Sequence, residues 1–93
     1  MTMSTEPLPE NVGHALKAGY RWLRIYWDVP GTSHFAYSTN LDRSPEDRLL
    51  VDWAHEIHRK DRQGVLTKIS IVAPDRIESP DPEKFELTLW EAA

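Results

Sequence analysis

The sequence predicts an α+β fold: a four-stranded, mostly antiparallel sheet in the order β-β-α-β-β, with one main amphipathic helix packed on one face. Three observations predict it. Four stretches alternate apolar and polar residues with the period of a strand. A fifth, from Ser44 to about Arg62, carries its apolar residues at helical spacing. Pro30-Gly31, Gly64 and Pro74 punctuate the boundaries. A single helix covers only one face of such a sheet, and an antiparallel sheet tolerates a solvated second face.

Residues 1–10 hold Thr, Ser, Glu and two prolines, Pro7 and Pro9, and read as a flexible lead-in to a single domain over 11–93. Asn11 is a fair N-cap for two helical turns ending at Gly19. Tyr20–Val29 is the first strand, with Leu23, Ile25 and Trp27 on one face and Tyr20, Trp22, Arg24 and Tyr26 on the other. After a loop at Pro30-Gly31, His34–Thr39 returns antiparallel. Ser44-Pro45-Glu46-Asp47 reads as an N-cap, a first-turn proline and acids suited to the helix dipole. The helix stripe is Leu49, Leu50, Trp53, Ala54 and Ile57, and Gly64 is its stop. Val65–Ala73 is the third strand, with Val65, Thr67, Ile69 and Ile71 alternating against Leu66, Lys68, Ser70 and Val72. Lys84–Glu91 is the fourth, with Phe85, Leu87 and Leu89 toward the helix. The stretch between them, 75–83, is a loop rich in proline and acid.

Composition narrows the function classes. Ninety-three residues make one domain, which buries roughly 60–65% of its unfolded surface without needing metal or disulfide. There is no cysteine, hence no disulfide and no thiolate metal site. Residues 1–9 lack a basic and apolar leader, and no apolar run approaches the ~20 residues of a membrane span. These features predict a soluble, cytoplasmic protein that makes no membrane contact. A net charge of −4 disfavours general phosphate-backbone binding.

Chemistry-bearing motifs are weak. The four glycines are scattered, so no phosphate loop exists, and no serine sits in a nucleophile elbow. His55 and His58 are three apart rather than at the zinc-protease spacing, and no third ligand is evident. The sequence therefore predicts no enzyme and no cofactor. The sheet face away from the helix is the first candidate site, carrying Tyr20, Trp22, Arg24, Tyr26, Lys68, Ser70, Glu86, Thr88 and Trp90. Aromatic and arginine side chains of this kind form protein-binding hot spots. They also stack single-stranded nucleic acid, which is the alternative function. The face is otherwise covered, by Leu8–Leu16 folding back or by a second copy in a homodimer. The second candidate is the acidic loop with Asp75, Glu78, Asp81 and Glu83, joined by Asp28, Asp42, Glu46 and Asp47, which would attract a basic partner.

The expected function is thus a small inhibitor or adaptor that binds a protein, with a basic nucleic-acid-handling protein as the favoured partner. By analogy of size and composition, such chains include phage or bacterial anti-CRISPR-like, immunity and antitoxin proteins.

Overall fold

The computed structural model describes residues 8–61, 64–74 and 86–92. Its elements are α1 (Val12–Lys17), β1 (Trp22–Asp28), β2 (His34–Asn40), a 3-10 turn (Leu41–Arg43), α2 (Leu50–Asp61), β3 (Val65–Val72) and β4 (Glu86–Glu91). The four strands form one antiparallel sheet in the order β2-β1-β3-β4. The expected helix end at Arg62, the strand positions Lys84 and Phe85, and the loop 75–83 lie outside the described residues.

Strand β1 alternates as its sequence requires: Leu23, Ile25 and Trp27 are buried, and the residues between them are half-buried. They meet Ile69 and Ile71 of β3 and Leu50 and Ala54 of α2 in one core. Each large aliphatic side chain buried here contributes about 1.5–3 kcal/mol. Helix α2 touches the two central strands, β1 and β3. That placement follows from size: a helix is roughly 10–12 Å across with side chains, and strands are about 4.8 Å apart. One helix therefore covers about two strands, and the helix-side aromatics of β2 keep part of their surface in solvent. Phe35 and Tyr37 are 42% and 41% exposed.

Two β-bulges revise the expected faces of β3 and β4. Tyr26 pairs with Lys68 but Trp27 pairs with Leu66, so Thr67 is an extra residue in β3. Its hydroxyl donates to the Tyr26 carbonyl at 3.2 Å. The extra residue turns Leu66 into the core and leaves Val65 60% exposed. In β4, Ser70 pairs with Thr88 but Ile69 pairs with Trp90, which makes Leu89 the extra residue. Trp90 consequently faces the helix, where its ring meets His55 edge-on at 5.5 Å.

The expected helix start at Ser44 is also revised. Ser44 closes the 3-10 turn, its N–H donating to the Leu41 carbonyl. Residues 45–48 form a turn, with Arg48 N–H on the Pro45 carbonyl at 3.1 Å. The reason is tertiary. Helix α1 begins with unpaired N–H groups, and the turn supplies their acceptors. Val12 N–H donates to the Arg48 carbonyl at 3.0 Å, and Gly13 N–H to the Glu46 carbonyl at 2.8 Å. A Cβ at position 13 would press on the Glu46 Cβ and carbonyl at 3.2 and 3.3 Å, so the close approach favours glycine. The debt is repaid in kind: Glu10 offers its carbonyl to Leu50 N–H at 2.9 Å, at the start of α2. Asn11 caps α1 as expected, its side chain accepting from His14 N–H at 2.8 Å. Leu49, expected in the helix stripe, precedes the helix and is exposed. Arg48 lies outside the helix and makes an ion pair with Glu56.

No helix among the described residues is long and apolar enough to cross a membrane.

Candidate functional site

On the face of the sheet away from α2, β1 presents Trp22, Arg24 and Tyr26 in sequence. The β1–β3 register sets Arg24 beside Ser70 and Tyr26 beside Lys68. The β3–β4 register brings Thr88 opposite Ser70 and Glu86 opposite Val72.

The Glu86 carboxylate ties these strands together. Its Oε2 accepts hydrogen bonds from Ser70 Oγ at 2.5 Å and from the Tyr26 hydroxyl. Its Oε1 lies 3.6 Å from Arg24 Nη1. The Glu86 side chain is only 11% exposed, while Arg24 remains 39% exposed. Ser70 is fully buried. Two cations flank the Tyr26 ring, Lys68 Nζ at 5.0 Å from its centroid and Arg24 Cζ at 5.5 Å.

These contacts set the charge states. Burial opposes ionisation of Glu86. Hydrogen bonds from Ser70 and Tyr26 and the charges of Arg24 and Lys68 outweigh it, holding the carboxyl below the usual carboxylate range. Burial, then the hydrogen bond to Glu86 and its negative charge, push the Tyr26 phenol up to about 12. A phenol whose folded pKa lies above its unfolded value of 10.0 adds stability that is whole below pH 10. That stability is lost as pH rises through 12. Glu86 has the opposite sign: its contribution is present above the unfolded carboxylate value and fades as pH falls through its depressed folded value. Urea midpoints measured from pH 9 to 12 should therefore fall more steeply for the wild type than for Tyr26→Phe. Equal slopes would mean that the fold does not raise the Tyr26 phenol above its ordinary value.

Not every expected residue joins this face. Tyr20 lies before β1, with its N–H on the Ala15 carbonyl at 3.0 Å, and its side chain packs against the core. Trp90 is on the helix side because of the β4 bulge. Asp75, Glu78, Asp81 and Glu83 lie outside the described residues. The acids expected beside them do not form one patch. Asp28 bonds His34 at the start of β2, whereas Asp42 follows the end of that strand. Glu46 and Asp47 line a hollow beside α1.

Sequence reasoning placed Glu86 on this face but missed its central position. The available signal was a carboxylate on the same strand face as Thr88, opposite a strand with Ser70 and Lys68. It also passed over Phe35, which stacks on Trp27 with centroids 5.7 Å apart and planes 18° from parallel. The two helix histidines engage different tryptophans, His55 with Trp90 and His58 with Trp27 at 6.4 Å. Among the described residues no group of three or more histidines and acids is placed to hold a metal.

No family model matches the chain, and no curated protein or solved structure matches it either.

Proposed function

We propose that this chain is a non-enzymatic protein-binding module, an inhibitor or adaptor that seats its partner on the sheet face opposite α2. One observation carries the reading: Trp22, Arg24 and Tyr26 share that face, and Glu86 holds Arg24 and Tyr26 in place. The other described segments are engaged elsewhere. Helix α2 packs on the opposite face, and residues 10–13 bond to residues 46–50. Arginine and large aromatics on a pre-organised surface suit protein recognition.

The same geometry favours a protein over a nucleic acid. The Tyr26 hydroxyl is committed to Glu86, and cations flank the ring a base would stack on. An ionised carboxylate sits at the centre of the face, and the chain carries a net charge of −4. The acid-rich sequence 75–83 favours a basic partner, such as a nucleic-acid-handling protein that the chain blocks in the cytoplasm. A phage or bacterial anti-defence (anti-CRISPR-like), immunity or antitoxin-type protein acts in this manner.

Capture from a native lysate tests the reading. Trp22→Ala and Arg24→Ala should each weaken partner retention by at least ~2 kcal/mol, roughly 30-fold, measured at temperatures where circular dichroism shows both variants folded. Retention that survives both substitutions would remove this face from the function. Quenching of tryptophan fluorescence by a single-stranded oligonucleotide at low salt, abolished by Trp22→Ala, would replace the protein reading with the nucleic-acid one.

A further inference from the structure

The two edges of the sheet differ in a way that identifies a second interaction surface. Natural edge strands are blunted by charge, proline, bulges or cover. β4 is blunted: it carries a bulge at Leu89 and glutamates at both ends, Glu86 and Glu91. Among the described residues β2 shows none of these devices. His34-Phe-Ala-Tyr-Ser-Thr-Asn40 contains no proline and no Asp, Glu, Lys or Arg, and every residue but Thr39 is exposed.

The backbone direction of β2 follows from two bonds that bracket the hairpin. Val29 N–H donates to the Ser33 carbonyl at 3.2 Å, and Leu41 N–H to the Arg21 carbonyl at 2.8 Å. Bonded and non-bonded pairs alternate along an antiparallel ladder. With the observed register, Phe35, Tyr37 and Thr39 therefore direct their N–H and C=O groups to β1. His34, Ala36, Ser38 and Asn40 direct theirs outward.

We infer that β2 pairs antiparallel with β2 of a second copy of this chain, joining two sheets into one of eight strands. The register that pairs all seven residues puts Tyr37 on the two-fold axis. It is also the register that the outward groups allow. His34 then bonds to Asn40 of the second copy and Ala36 to its Ser38, about eight backbone hydrogen bonds in all. Between them, Phe35 lies opposite Thr39, and Tyr37 opposite Tyr37. Aromatic and β-branched cross-strand pairs stabilise such a ladder, and no like charges oppose one another. Both α2 helices end on the same side. The strand pairing makes no use of the face opposite α2, so this inference stands or falls separately from the proposed function.

The full-length chain tests it without a competing thiol, because it has no cysteine. Sedimentation from about 1 µM to about 1 mM, the range appropriate to a small interface, should show a concentration-dependent dimer. Tyr37→Cys should cross-link to itself on oxidation, since a non-bonded pair sets its Cα atoms about 4.5 Å apart, within disulfide reach. Thr39→Cys should not, because the two copies of residue 39 lie roughly 14 Å apart. A mixture of Thr39→Cys with Phe35→Cys should cross-link as a mixed dimer. Ser38→Pro removes an outward N–H and should shift the chain to monomer with an unchanged melting temperature measured at 1 µM or about that. A wild-type monomer across the whole range would overturn the inference. So would self-linking of Thr39→Cys at the rate of Tyr37→Cys, or a dimer that persists in Ser38→Pro.

Discussion

Replacement of Glu86 by alanine is expected to destabilise the fold by about 2–4 kcal/mol, and to abolish partner capture even at temperatures where the variant remains folded. The carboxylate receives hydrogen bonds from Ser70 and Tyr26 and faces Arg24. Removing it leaves a fully buried hydroxyl without its acceptor, and an arginine without its counter-charge. Unsatisfied buried donors each cost about 1–3 kcal/mol, which exceeds the typical net worth of the bonds themselves. Glu86→Gln keeps the shape and one acceptor oxygen but loses the charge, so it should cost about half as much. Urea unfolding of the three proteins gives the stability order, and far-UV circular dichroism confirms that the variants remain folded. If Glu86→Ala matched the wild type in both stability and capture, the carboxylate would be a bystander on this face.

Gly64→Ala is expected to be more damaging still, at about 3–5 kcal/mol. Gly64 has φ +84°, a conformation that costs other residues about 1–3 kcal/mol. Space is the larger problem. A Cβ there would lie 2.1 Å from the Asp28 carbonyl oxygen and 2.9 Å from its carbonyl carbon. Both are backbone atoms, so no side-chain rotation relieves the overlap. The end of β1 would have to separate from the start of β3, where Asp28 pairs with Val65. Gly64→Asn separates the two causes, because asparagine tolerates positive φ but still carries a Cβ. It should lose nearly as much as alanine in thermal melts. Near-wild-type stability of Gly64→Asn would mean that the turn moves freely away from Asp28.

Much of the fold could be read from the sequence because much of it is decided locally. Leu23, Ile25 and Trp27 fall on one face of β1 by the strand's own period, and they are buried there. Asn11 lies only three residues from the N–H group it caps. The features that escaped depend on partners far along the chain. An extra residue such as Thr67 or Leu89 is invisible in a single strand, because a bulge exists only relative to the neighbouring strand. That is why Trp90 was expected on the wrong face. The capping signal at Ser44-Pro45 is sound as local chemistry, but the carbonyls of residues 46 and 48 are taken by α1. Glu86 meets Ser70 and Tyr26 across separations of 16 and 60 residues, so its central position emerges only when β1, β3 and β4 align. Phe35 alternates as a buried residue should, yet its exposure depends on how far α2 reaches across the sheet.

The exchange of backbone groups between residues 10–13 and 46–50 has a dynamic consequence. A helix of six residues has almost no stability alone, because nucleation costs more than its few internal bonds return. α1 therefore persists only while the 45–50 turn holds it, and the first N–H of α2 is protected only while Glu10 remains in place. The two segments should open as one cooperative unit rather than fray separately. Amide hydrogen exchange of Val12, Gly13 and Leu50 should report a shared opening free energy. Release of Val12 and Gly13 well before Leu50 would show that the N-terminal segment moves on its own.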